Sequence, residues 1–398
     1  MKKDCLTTRL VHAGDNELAK KVAASVSQPK VLPIYMSSVF SFDDVPTLDS
    51  VYDGSKSGYV YSRMANPSLD CVEDVLAAAE GCDGAIVLSS GMAAIITTII
   101  ANVKAGDHIV ASPVLYGGVY DYFANELPRF GVHVDFVDFI HDDIEKYMKP
   151  NTKIVYTETI TNPLMEVMDI QKVADIAHAH GAKMIIDNTF ATPAVCRPME
   201  FGADIVVYSG TKYLGGHSDI IAGVITSSKE NIAQIQHCAT LYGDLLSPFD
   251  SWLLTRSLRT LELRVREHSH NAQKLAEYLE HHPKVEHVYY SGLASSPFNG
   301  LAKKQFHDGW CGGMLSADIA GGEAGATAFI AACEHIKFVP SLAGVSTTLS
   351  YPVKTSHRAY PPEELKKCGI SGGLLRFSIG IEGIDDIIDE FEQAFAKM

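Results

Sequence analysis

The chain has 398 residues, 46% of them hydrophobic, which is too long for one ordinary domain and suits a large core plus a smaller one. Its net charge of −15, spread without long like-charge runs, argues against a nucleic-acid or anionic-membrane partner and for small-molecule chemistry. No run of about 18 apolar residues occurs, and no apolar segment follows the briefly basic Met1–Leu6, so no membrane association and a cytoplasmic location are expected. The cysteines at 5, 71, 82, 196, 238, 311, 333 and 368 show no C-x-x-C spacing and read as reduced thiols rather than a zinc site or disulfide framework. The histidine pairs at 178/180, 268/270 and 281/282 lie in polar stretches without a carboxylate constellation, so no metal is expected.

In chain order, residues 1–60 lack strong periodicity and contain Pro29, Pro33 and Pro46, which suits an extended N-terminal arm. Strand-like runs then follow at Ala85–Leu88, His108–Ala111, His133–Val137, Lys153–Tyr156, Met184–Asp187, Ile205–Tyr208 and Ala222–Thr226. Helical spacing at Met92–Val103, Val119–Leu127 and Ile170–His180 alternates with them. This pitch predicts a large α/β domain over 61–255 built on a mainly parallel, doubly covered sheet of seven strands. Ser251–His281 is the longest helical pattern, with Leu253, Leu254, Leu258, Leu261 and Leu263 as apolar positions, and is expected to link to a second domain. Within 256–398, strands at Val285–Tyr289, Met314–Asp318 and Leu374–Ser378 interleave with helices at Gly322–Glu334 and Ile384–Ala396, predicting a small C-terminal α+β domain.

The chemistry collects at the ends of these predicted strands. Ile205–Tyr208 delivers Ser209, Thr211 and Lys212 to the carboxyl edge of the sheet, where open α/β sheets bind ligands. A desolvated lysine there is a nucleophile toward a carbonyl, the setting for a Schiff base with pyridoxal phosphate, and the hydroxyls suit its phosphate. A surface loop with a solvated lysine fits Ser-x-Thr-Lys equally. Lys183–Asp187 ends in a carboxylate able to keep a pyridine nitrogen protonated, although Asp before Asn188 and Thr189 is also a common turn. Ser89-Ser90-Gly91-Met92 joins a predicted strand to a predicted helix. The amides of Gly91 and Met92 can there meet a phosphate, or Ser90 can simply cap the helix. Tyr61 and Arg63, two residues apart in an extended stretch, present a phenol and a guanidinium suited to phosphate on one face. Arg376, charged inside the apolar run Leu374–Ser378, needs a partner if buried, such as an amino acid's carboxylate; exposure on an edge strand is the alternative.

Asp187-Asn188-Thr189-Phe190, Ser209-Gly210-Thr211-Lys212-Tyr213 and Gly215-Gly216-His217-Ser218-Asp219 together resemble the Cys/Met-metabolism family of pyridoxal-phosphate enzymes, which includes the cystathionine and methionine γ-lyases. The resemblance runs from Leu32-Pro33-Ile34-Tyr35 to Leu375-Arg376-Phe377-Ser378-Ile379-Gly380. It implies the aspartate-aminotransferase-type fold (fold type I), with pyridoxal 5'-phosphate in the large domain. It also implies a homotetramer of two catalytic dimers, in which the arm clasps a neighbour and Tyr61 and Arg63 reach the neighbour's phosphate. By resemblance, Lys212 is the cofactor lysine, the turn at Ser90, Gly91 and Met92 meets the phosphate, and Tyr116 stacks on the ring with a phenol able to shuttle protons. Arg376 and Ser341 take the substrate carboxylate, and Glu158 and Asn162 lie near the ring.

The chain departs from the family at several positions. Gly118 stands where most methionine γ-lyases have cysteine, and Pro340 where cystathionine γ-lyases of the mammalian kind have glutamate. Ser346 replaces a frequent glutamate and Val119 a usual threonine. These changes blur the substrate rather than the cofactor. The expected activity is a carbon–sulfur lyase on methionine, homocysteine, cystathionine or cysteine, with α,γ-elimination favoured. Cystathionine γ-synthase, O-acetylhomoserine sulfhydrylase and cystathionine β-lyase are the rivals, and a non-catalytic homologue is disfavoured by Lys212, Asp187, Tyr116 and Arg376 standing together.

Overall fold

The computed structural model describes residues 5–12, 29–356, 358, 363, 365 and 369–398. Cys368 and residues 1–4 and 13–28 of the expected arm lie outside that set. The chain forms two compact units. One takes in residues up to Ala101 with Val207–Gly215 and Asp219–Thr260; the other takes in Asn102–Val206, Gly216–Ser218 and the chain from Leu261 onward. The strands are β1 Gly84–Leu88, β2 His108–Ala111, β3 His133–Phe136, β4 Thr152–Glu158, β5 Lys183–Asp187, β6 Ile205–Ser209, β7 Gly223–Ser227, β8 Val285–Tyr289, β9 Met314–Ile319, β10 Lys337–Phe338, β11 Thr348–Ser350 and β12 Leu374–Ser378. A seven-stranded sheet has the order β1-β7-β6-β5-β4-β2-β3. Within it β2 pairs in parallel with β3 and β4, and β4 with β5, while β1 and β7 are antiparallel.

In the first unit, the helix Pro67–Glu80 starts where Asn66 accepts the Ser68 N–H at 2.8 Å and Pro67 fixes the first turn, and it ends at Gly81. It buries Leu69, Val72, Val75, Leu76 and Ala79, and packs on β1. The Glu80 carboxylate accepts the buried Tyr208 hydroxyl of β6. The Arm region carries two short helices, Leu6–Val11 and Val45–Tyr52, the latter capped by Asp44, which accepts the Thr47 N–H at 2.7 Å.

In the second unit, Ile154–Tyr156 of β4 and Met184–Ile186 of β5 are buried without alternation, the mark of strands covered on both faces. A separate five-stranded sheet has the order β10-β11-β12-β9-β8 and is mainly antiparallel. The helices Gly322–Ala332 and Ile384–Lys397 supply Phe329, Phe391 and Phe395, which meet Phe377 of β12 in one aromatic cluster. Ile387, Phe391, Ala394 and Phe395 form the apolar stripe, while Asp385 and Asp386 sit in the first turn, where the helix dipole favours anions.

Two predicted helices are corrected. Val119–Leu127 is not one α-helix: an α-turn at Gly117–Asp121 passes into a π-helical turn at Tyr122–Glu126 and a 3-10 turn at Leu127–Phe130. Pro128 has no amide for the Ala124 carbonyl and its ring crowds that group. Ser251–His281 splits into Pro248–Leu258 and Leu261–Leu279. The Thr260 N–H and hydroxyl both donate to the Ser257 carbonyl, at 3.2 and 3.3 Å, and so close the first helix. Leu254, Leu258 and Leu261 are buried there, but Leu263 is exposed. Among the described residues, no helix is long and apolar enough to cross a membrane.

Candidate active site

In the first unit, the strand-to-helix turn after β1 is built by main-chain and serine bonds. The Ser89 N–H donates to the Asp244 carbonyl at 2.7 Å. Ser90 caps the helix Gly91–Asn102: its hydroxyl accepts the Ala93 N–H at 3.1 Å and its carbonyl the Ala94 N–H at 3.0 Å. The amides of Gly91 and Met92 are left without an acceptor among the described residues, at the positive end of the helix dipole. A methyl group at Gly91 would lie 2.9 Å from the Ser209 Cβ and 3.1 Å from its hydroxyl oxygen, so glycine is what lets the helix start close on the end of β6.

After Ser209 the chain turns tightly, with the Lys212 N–H on the Ser209 carbonyl at 3.1 Å and the Gly215 N–H on the Gly210 carbonyl at 2.9 Å. Lys212 is half-buried. The Thr211 hydroxyl accepts the Ala222 N–H at 3.0 Å and donates to the Ala222 carbonyl at 3.3 Å, so its proton is committed to the main chain and it serves to shape the lysine turn. Tyr61 and Arg63 are exposed and pair with each other, the guanidinium carbon 5.5 Å from the ring centroid, while Arg63 Nη1 donates to the Thr240 carbonyl.

The second unit holds Tyr116, Glu158, Asn162, Asp187, Ser341 and Arg376. Glu158 and Asp187 end β4 and β5 as direct neighbours in the parallel register. Asp187 Oδ1 accepts the Thr189 N–H at 2.9 Å, yet burial outweighs that bond and lifts its carboxyl to about 6. Glu158 is 7% exposed; burial first and the Asp187 charge second push it well above the usual carboxylate range. The two cannot readily be charged together, and Asp187 ionises first. Glu158 Oε1 accepts the Tyr116 N–H at 2.7 Å, which fixes the main chain at Tyr116 and leaves the phenol ring 51% exposed.

The space beside Tyr116 differs from a simple opening made by glycines. A methyl group at Gly117 would lie 2.8 Å from the Ser356 carbonyl oxygen, so that residue's small size admits a neighbouring strand of main chain. Arg376 is buried, 6% exposed, in the middle of β12 rather than on an edge, since β12 lies between β11 and β9. Its Nη1 donates to Asn162 Oδ1 at 2.8 Å. Across from Arg376 on β9, Ser316 donates to the Pro163 carbonyl at 2.7 Å and so ties the Asn162 loop to the same sheet. Ser341 precedes Ala343, whose N–H donates to the Ser378 hydroxyl at 2.7 Å. Ser378 was not singled out from sequence; its place two residues beyond Arg376, on the same face of a strand, was the available sign.

The residues suit pyridoxal phosphate. Unpaired amides at a helix start that only glycine can bring onto Ser209 form a cradle for a phosphate, and the half-buried Asp187 carboxyl, held high by desolvation, gains from a cationic partner such as a protonated pyridine nitrogen.

Comparisons with known proteins agree. The sequence model of the family described as Cys/Met metabolism PLP-dependent enzyme matches residues 7–396. An L-methionine gamma-lyase of Porphyromonas gingivalis is 41% identical over 395 residues, covering 98% of this chain and 97% of that one. A cystathionine gamma-lyase of Bacillus subtilis is 39% identical over 393 residues, covering 98% and 99%. The crystal structure of cystathionine gamma-lyase from Lactobacillus plantarum complexed with L-serine matches with a TM-score of 0.90 at 34% identity, over 99% of both chains. From Thr7 to Ala396, therefore, this chain belongs to the Cys/Met-metabolism family of pyridoxal-phosphate-dependent enzymes.

Proposed function

We propose that this chain is a carbon–sulfur lyase for sulfur amino acids that favours α,γ-elimination, converting methionine and water into methanethiol, ammonia and 2-oxobutanoate. Homocysteine and cystathionine are taken the same way, and β-elimination from cysteine or cystathionine gives pyruvate as the lesser reaction. The observation that carries this reading is the buried Arg376 held by Asn162, a fixed bidentate group for one α-carboxylate in a family that handles amino acids. The full-length likeness to methionine and cystathionine γ-lyases supports the bond broken.

Bound pyridoxal phosphate supplies the electron sink that weakens the bonds at the substrate's Cα. Ser90, Gly91, Met92, Ser209 and the turn shaped by Thr211 would hold the phosphate, and Asp187 would keep the proton on the ring nitrogen. Lys212 Nζ takes the Cα proton and carries it between the substrate's carbons. Tyr116 would stack on the ring and pass a proton to the departing sulfur, while Glu158 fixes its main chain. Arg376 and Ser341 orient the carboxylate, and Asn162 orients Arg376.

The working form is a cytoplasmic homotetramer of two catalytic dimers, with Tyr61 and Arg63 of one copy completing the phosphate site of another. Exposed Tyr61, Met64, Leu241, Tyr242 and Phe249 support such an assembly. Incubation of the purified protein separately with methionine, homocysteine, cystathionine and cysteine, with each keto acid identified by mass, tests the reading. The expected result is 2-oxobutanoate from the first three. Activity confined to joining thiols to acetyl- or succinyl-homoserine would replace it with a γ-replacement transferase.

A further inference from the structure

The turn that presents the Gly91 and Met92 amides does not stand on its own bonds alone. Asp244, in the loop after the helix Lys229–Tyr242, grips it at two points. The Asp244 carbonyl takes the Ser89 N–H at 2.7 Å, just before the helix, and its carboxylate Oδ2 takes the Thr97 hydroxyl at 2.7 Å, inside the helix. Next to it, Leu245 bridges Leu88, and the Leu246 N–H reaches the Val87 carbonyl at 3.5 Å, so this loop runs along the end of β1. Ser90, Gly91 and Met92 thus lie between two anchors on one aspartate. Thr97 is 1% exposed, and the second carboxylate oxygen, Oδ1, is buried without a donor among the described residues. A buried carboxylate supported by a single hydroxyl loses its remaining partner if that hydroxyl goes, and the cost falls on the local geometry.

We propose that Asp244, through Thr97, is a positioning residue for the cofactor's phosphate: it fixes the angle between β1 and the helix Gly91–Asn102 and thereby the direction of the two free amides. This rests on the reading of Ser90, Gly91 and Met92 as the phosphate-holding turn. Neither residue is part of the phosphate-holding turn; they act by holding that turn in place. A shift of the helix start by a fraction of an ångström spoils amide bonds to a compact dianion, but does little to contacts made by the ring.

The test separates phosphate from ring. Full-length protein freed of its cofactor is titrated with pyridoxal phosphate and with pyridoxal, which lacks the phosphate, and binding is read by absorbance. Thr97→Val and Asp244→Ala each weaken pyridoxal phosphate by about tenfold, the loss of roughly one charge-assisted bond, and leave pyridoxal within about twofold. Thr97→Ser restores the wild-type value. Circular dichroism of each cofactor-free variant confirms folding, and if Thr97→Val does not fold, Asp244→Ala makes the same cut from the other side. Ser90→Ala is titrated alongside. If it shows the phosphate-selective loss while Thr97→Val and Asp244→Ala lose both ligands equally or neither, the role of Asp244 is overturned alone. If Ser90→Ala shows no phosphate selectivity, the phosphate-holding turn is itself misassigned and the proposal falls with it.

Discussion

Asp187→Asn should make the cofactor-free protein more stable while destroying its turnover. Burial lifts the Asp187 carboxyl from 3.8 to about 6, so the native state binds its proton more tightly than the unfolded chain does. Well below pH 3.8 the group is protonated in both states and costs nothing; between about 3.8 and 6 the unfolded chain ionises first and native stability falls as pH rises. Above 6 the full penalty is in place, roughly 3 kcal/mol at about 1.4 kcal/mol per unit. The asparagine keeps an acceptor for the Thr189 N–H and carries no charge. Urea unfolding of the cofactor-free proteins should therefore find the variant ahead by up to about 3 kcal/mol at pH 8, and by only about 1 kcal/mol at pH 4.5. Elimination should meanwhile drop severely at every pH, because an amide does not keep the ring nitrogen protonated. A stability difference that does not grow with pH would refute the burial argument, and near-normal turnover would reduce Asp187 to a turn residue.

The remaining predictions concern the lysine, the neighbouring copy and the substrate. The purified protein should be yellow, and borohydride should bleach it and fix the cofactor's mass on Lys212, with Lys212→Ala inactive; mass found on another lysine overturns the assignment. Arg63→Ala should retain cofactor poorly, and mixing it with Lys212→Ala should restore part of the activity through hybrid sites that hold both intact residues. A fully active monomer by gel filtration would rule out the sharing. Pro340 is exposed just before Ser341, and Pro340→Glu should shift kcat/KM toward cystathionine by at most about 1–3 kcal/mol, the worth of one charge-assisted contact. An unchanged ratio of cystathionine to methionine would remove Pro340 from the account of specificity.

Much of this molecule is legible in its sequence because the strands of the large sheet are apolar on both faces and end abruptly in polar groups. β4 stops at Glu158, β5 at Asp187 and β6 at Ser209, so runs of one kind of residue mark both the strand and its functional end. What escaped is set by relations between distant segments. That Glu158 sits beside Asp187 depends on the register of two strands, and no local pattern records it. That Arg376 Nη1 bonds Asn162, 214 residues away, was readable only as a need for some partner. The break at Thr260 depends on one hydroxyl outcompeting helix continuation, against an apolar repeat that runs straight through. β10 and β11, of two and three residues, are too short to show a period at all.

The close approach of Gly117 to the Ser356 carbonyl has a consequence for exchanging parts between related enzymes. Grafting a different residue at 117 to alter the surroundings of Tyr116 also demands a retreat of the main chain at Ser356, more than two hundred positions downstream. The two stretches therefore fit each other as a matched pair. Chimeras that cross between them should lose more activity than either parent's loop identity suggests, whereas chimeras that carry both stretches from one parent should keep it.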